Sequence, residues 1–130
     1  MLIWYNNNPK GKKTGDCVIR SIAFATNTAW ADTYRALAEL GIKKGLMIND
    51  NNNWKAYLKN LGFEKQSMPR KDDRTRYTLD EFCNKLAKEN TTYIVSVANH
   101  LTVVKDKNIY DSWNCGNKCV GNYWIIERSN

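Results

Sequence analysis

At 130 residues the chain has the length of one domain, a size that buries roughly two thirds of the unfolded surface in a single core. A content of 42% hydrophobic and 12% aromatic residues excludes intrinsic disorder despite the many Asn and Lys. The formal charge of +7 favours an acidic partner, yet Lys and Arg are scattered among acids, and neither zinc-finger spacing nor an RNA-binding signature appears, so nucleic acid is not expected.

"MLIWY", Met1 to Tyr5, is a short apolar run with neither a basic leader nor a cleavage site, and no stretch approaches the ~20 apolar residues of a membrane span. The expectation is a cytoplasmic protein without membrane contact, its four cysteines (Cys17, Cys83, Cys115 and Cys119) reduced. "NNNPKGKKTG", Asn6 to Gly15, has the Pro, Gly and Asn content of an exposed loop.

A first helix follows, with Asp16 as its N-cap, Cys17 in its first turn and an apolar face of Val18, Ile19, Ile22, Ala23 and Ala25. A second is predicted over 29–40, capped by Thr28 and stopped by Gly41. "NWKAYLKNLG" reads as a short third helix, with Trp54, Tyr57, Leu58 and Leu61 on one face. In "TLDEFCNKLAKEN" Thr78 and Glu81 form a capping box, and Leu79, Phe82, Cys83 and Leu86 make the apolar stripe of a fourth, which marks Cys83 as a core residue.

After Asn90 the composition turns β-branched and aromatic. "TTYIVSVANHLTVVKDKNIYDSWN" predicts two strands joined by a hairpin turn at "KDKN", and "GNYWIIERS" a last strand. The fold class is therefore α+β: one domain, 1–130, with a mainly helical half (1–90) packed on an antiparallel sheet (91–130). Trp4, Trp54 and Trp124 are expected in the core.

The only histidine, His100, lies in the first strand of that hairpin. If Asp106 and Lys107 form a two-residue turn, Lys105 pairs with Asn108, His100 falls opposite Trp113, and Asp111 shares its face. The acid then lies diagonally across the strand gap, about 7 Å away along the backbone and within side-chain reach. A cysteine in the first turn of a helix feels the positive end of the dipole, which favours thiolate. Beside a histidine it gains a proton acceptor, and an acid behind the histidine fixes the tautomer and holds the charge. Cys17, His100 and Asp111 are thus candidates for nucleophile, base and orienting acid, with the backbone of Cys17 as an oxyanion donor. Asp16, Asn99 and Trp113 are candidate cleft residues.

"GDCVIRSIA", followed by "NHLTVV" on one strand and "IYDSW" on the next, resembles the papain-like cysteine peptidases, in particular small phage and bacterial members similar to bacteriocin-processing peptidases. The resemblance runs from "YNNNPKGKKTGDC" to "GNYWII". It implies a cleft between a helical half carrying Cys17 and a sheet carrying His100 and Asp111, and a phage-encoded hydrolase of peptide or isopeptide bonds. That family generally carries a Gln some six residues before the nucleophile as an oxyanion donor; here the position is Gly11, and Asn8, or else Asn6, is expected to supply the amide.

No cofactor is called for. "NCGNKC" places Cys115 and Cys119 four apart, but zinc would need two further ligands, so a labile disulfide or two ordinary thiols is the reading. The expected partner is a protein or peptide substrate, with an acidic one suited to the charge. Two other functions fit the same scaffold: an acyltransferase, with an amine replacing water, and a module that binds or inhibits a protein without catalysis.

Overall fold

The computed structural model describes residues 1–128 as a mixed α+β domain of four helices and a six-stranded sheet. Three helices come early: α1 (Cys17–Ala25), α2 (Trp30–Lys44) and α3 (Asn51–Asn60). The fourth, α4, is one turn (Leu79–Glu81) that widens into a π-helical segment over Phe82–Leu86. The strands are β1 (Leu2–Trp4), β2 (Lys65–Gln66), β3 (Thr91–Val97), β4 (His100–Lys105), β5 (Asn108–Asp111) and β6 (Val120–Arg128), in spatial order β1-β5-β4-β3-β6-β2.

The sheet differs from its expected form in three ways. β1, drawn from "MLIWY", pairs in parallel with β5 and brings Trp4 opposite Asp111, so the sheet is not wholly antiparallel and the first half of the chain contributes two of its strands. Trp4 consequently sits on an edge strand and is 63% exposed rather than in the core. The run from Thr91 to Lys105 is two strands, broken at Ala98 and Asn99. Both adopt positive φ, 39° and 60°, the geometry of a two-residue hairpin turn.

The second hairpin is as the turn chemistry predicts. Asp106 and Lys107 take φ of 49° and 65°, and Lys105 pairs with Asn108. His100 is therefore the first residue of β4 rather than an interior strand position.

Both faces of the sheet are covered, which explains why β3 reads as a continuous β-branched run rather than an alternating one. On one face Ile94, Leu101, Val103 and Trp124 pack against Val18, Ile19 and Ile22 of α1, Leu37 of α2 and Trp54 and Leu58 of α3. On the other, Val95, Val104, Ile109 and Val120 pack against Leu79, Phe82 and Cys83. Trp54 meets Trp124 edge-on at 5.1 Å.

Local side-chain signals set the starts of α3 and α4. The Thr78–Glu81 capping box is present in both directions, and Asp50 caps α3 through the N–H of Asn52. The expected stop of α2 at Gly41 is not used. The helix runs one turn further, to a left-handed Gly45, because Gly41 is buried where its backbone abuts the carbonyl of Leu46: a Cβ there would lie 2.7 Å from that oxygen. Thr28 does not cap α2 either. Ala29 occupies the cap position, and the Thr28 hydroxyl bonds that of Thr33 at 2.8 Å.

Candidate active site

Cys17 opens α1 at the point where a side-chain-organised loop delivers the backbone. The three consecutive asparagines each hold a different part of that loop. Asn6 donates to the carbonyl of Lys12, Asn7 to the carbonyl of Arg20, and Asn8 to Asp16 Oδ2 at 3.1 Å. Asp16 occupies the N-cap position, but its carboxylate caps nothing. It turns inward, accepting from Asn8, from the Trp30 indole N–H at 3.0 Å and from Arg20 Nε at 2.8 Å. The first-turn N–H groups of α1 are left without a side-chain cap, beside the thiol.

Two residues one turn apart on α1 meet β4 at the same place. The Ser21 hydroxyl donates to the carbonyl of Leu101 at 2.8 Å, and Cys17 and His100 line one cleft, near enough for the imidazole to bear on the ionisation of the thiol. His100 Nε2 lies 2.6 Å from Asp111 Oδ2, which leaves Nδ1 as the nitrogen for the thiol. Asp111 is 3% exposed and accepts from the N–H groups of Ser112 (2.7 Å) and Trp113 (3.2 Å), while Arg20 Nη1 stands 3.6 Å away. Cys17 and His100 therefore share a cleft, with Asp111 hydrogen-bonded behind the imidazole.

Its electrostatics favour charge separation. Burial pushes the Cys17 thiol up, but the bonds from His100 and Leu101, with the charges of His100 and Arg20, outweigh it and hold the thiol below its ordinary value. For His100 burial works downward, and the bonds and charges of Asp111 and Cys17 overcome it, raising the imidazole to about 9. Asp111 stays below the usual carboxylate range despite burial, chiefly through its bond to His100. Both shifts favour the charged pair, thiolate and imidazolium, over the neutral one.

The other cysteines differ. Burial pushes Cys83 up to about 11; burial and then the charge of Asp111 push Cys115 up to about 12. Cys115 and Cys119 are both free thiols, one buried and one exposed, so they form no disulfide.

A cleft of about 260 Å³ opens over Cys17 and His100, lined also by Gly15, Val18, Asn49, Asn51, Trp54, Lys55, Ser96, Asn99 and Leu101. Of the expected cleft residues, Asn99 lines it. Trp113 stands to the side, its ring edge-on to His100 at 4.8 Å, and Asp16 lies beneath a neighbouring groove. The amides of Asn8 and Asn6 do not face the thiol: one holds Asp16 and the other closes the loop on Lys12. The asparagines that line the cleft are Asn49, Asn51 and Asn99, of which the Asn51 amide oxygen accepts from the Trp54 indole N–H. Asn49 and Asn51 belong to the "NDNNN" run, whose polarity marks only a loop in sequence. Arg20, which joins the two buried carboxylates, is likewise invisible without the fold.

His100, Asp111 and Cys115 also place N, O and S atoms within 4.8 Å of one another. A metal there would have to replace the His100–Asp111 hydrogen bond and ionise a thiol that burial strongly holds protonated, so the donor set suits a hydrogen-bonded relay better than a cation. No helix among the described residues is long and apolar enough to cross a membrane.

Comparison with protein-family models, curated proteins and solved structures returns no match for this chain.

Proposed function

We propose that this chain is a cysteine hydrolase of papain-like type that cleaves peptide or isopeptide bonds through Cys17, His100 and Asp111. The observation that carries the reading is a first-turn helical thiol that shares a cleft with His100, whose Nε2 lies 2.6 Å from a buried carboxylate. The Cys17 thiolate attacks the carbonyl carbon, and the oxyanion is held by the uncapped backbone N–H of Cys17 with a cleft asparagine amide as second donor. The His100 imidazolium gives its proton to the departing amine, leaving a thioester on Cys17. A water, deprotonated by His100, then attacks the thioester, releases the acid and restores the thiolate. Asp111 keeps His100 oriented throughout and stabilises its imidazolium form before acylation and during deacylation. An amine in place of that water would make the same site an acyltransferase.

A second reading, a papain-like scaffold that binds or inhibits a protein without catalysis, is favoured by one observation: the two loop amides expected to complete the oxyanion hole are engaged elsewhere.

Alkylation by iodoacetamide, followed by mass spectrometry at all four cysteines, separates the two. At pH ~6, where an ordinary thiol of pKa ~8.5 is almost wholly protonated, Cys17 of the hydrolase reacts well before exposed Cys119, and the advantage disappears in His100→Ala. Equal rates for Cys17 and Cys119 would put the binding module first.

A further inference from the structure

Beyond Gly15 and Asn49 the cleft continues into a larger groove of about 770 Å³, and these two residues line both spaces. The groove is apolar within and basic at its mouth. Ile19 and the Trp30 indole form its base, with Tyr34 and Met47 as walls. Trp30 and Tyr34 rings lie 5.3 Å apart, and Met47 and Tyr34 are 74% and 43% exposed. A bare Met beside an aromatic pair is an adaptable surface for an apolar side chain. Lys10, Lys12 and Lys13 stand on the rim, exposed, and among the described residues none is paired with a carboxylate. The one acid lining the groove, Asp16, is buried and already holds Arg20, Trp30 and Asn8, so the potential at the mouth is positive.

We propose that this groove is the substrate-binding site for one side of the bond presented to Cys17, and that it takes an extended peptide segment bearing an apolar side chain flanked by carboxylates. The inference rests on the hydrolase reading and names its substrate class. The apolar side chain enters between Trp30 and Met47, and the flanking carboxylates meet the three lysines, which sit on the loop that leads directly into Cys17. Substrate charge is thereby read next to the nucleophile.

The test uses the full chain carrying Cys17→Ala and fluorescein-labelled peptides with a Glu-Glu-Leu-Glu-Glu centre, read by anisotropy against matched peptides in which Gln or Lys replaces Glu. The Glu peptide is expected to bind about tenfold or more tighter than the Gln peptide. That preference disappears near 1 M salt, where the screening length is about 3 Å, and in the Lys12→Glu/Lys13→Glu variant. Met47→Glu weakens binding as well. In the unsubstituted chain, saturating Glu peptide slows iodoacetamide labelling of Cys17 while leaving Cys119 unaffected. Equal affinity for the Gln peptide, tighter binding of a single-stranded oligonucleotide, or peptide binding that leaves Cys17 labelling unchanged would each overturn the proposal. An ordinary pH profile for Cys17 would instead remove the hydrolase reading, with peptide binding still measurable, so the two failures are distinct.

Discussion

At the scale of single residues, the site turns on how two buried carboxylates are partnered. Against the pull of burial, Asp111 and Cys17 together raise His100 to about 9, and because His100 is the only histidine its ring protons report that titration without ambiguity by NMR. The sign follows from the direction of the shift. The folded value lies above the ordinary 6.5, so the stabilisation from charged His100 is full below pH ~6.5 and is lost as pH rises through about 9. In Asp111→Asn the NMR midpoint is expected to fall, and the alkaline limb of Cys17 reactivity to move down with it; an unchanged midpoint would mean that Asp111 does not support the imidazolium. Arg20 is the other determinant, its guanidinium 2.8 Å from Asp16 and 3.6 Å from Asp111. Arg20→Met leaves Asp16 buried without its cation, while Asp111 keeps His100, and is expected to cost about 3–5 kcal/mol in chemical denaturation. Arg20→Lys recovers only part of this, because one ammonium cannot reproduce the planar fork.

At the scale of elements, the turn before His100 governs where the imidazole stands. Ala98 and Asn99 both have positive φ, which Asn tolerates and Ala does not. Ala98→Gly is therefore expected to stabilise the domain by about 0.4–1 kcal/mol, seen as a higher melting temperature with Cys17 reactivity retained. The same turn shows the limit of pattern reading. "VSVANHLTVV" contains no Gly or Pro, so its apolar content reads straight through as one strand, whereas "KDKN" advertises its turn by polarity. Helix ends follow the same logic. The Thr78–Glu81 capping box is a contact between neighbours in sequence and is legible there. Gly41 looks like a stop, but its role is set by the distant approach of Leu46 in space, so Gly41→Ala is expected to destabilise by about 1–3 kcal/mol on denaturation.

At the scale of the whole molecule, the site is held from both ends of the chain. α1 is pinned to β4 through Ser21 and Leu101, while β5 carries Asp111 between β4 and β1. The Tyr5 N–H bonds the Asp111 carbonyl at 3.0 Å, so the first strand clamps the residue that orients His100. Removal of residues 1–5 is expected to lower the NMR midpoint of His100 and the reactivity advantage of Cys17 together, with the helical content by circular dichroism kept. A truncated chain with an unaltered His100 titration would show that β1 is dispensable to the site.

What the sequence by itself determined are the features that depend on neighbours along the chain: the helix bearing Cys17, the capping box, the parity of the "KDKN" turn that sets Asp111 on the His100 side, and the α+β class. Turn parity is enough for the β4–β5 pair because side chains alternate with period two. Only the tertiary structure decided the rest. It diverted Asn8 and Asp16 from the oxyanion hole and the helix cap to each other, set Arg20 between two carboxylates, and laid β1 on β5. The physical reason is common to the first two. A polar side chain bonds the partner that folding brings nearest, and for Arg20, whose bond to Ser112 spans 92 positions, that partner is specified by packing and not by local pattern.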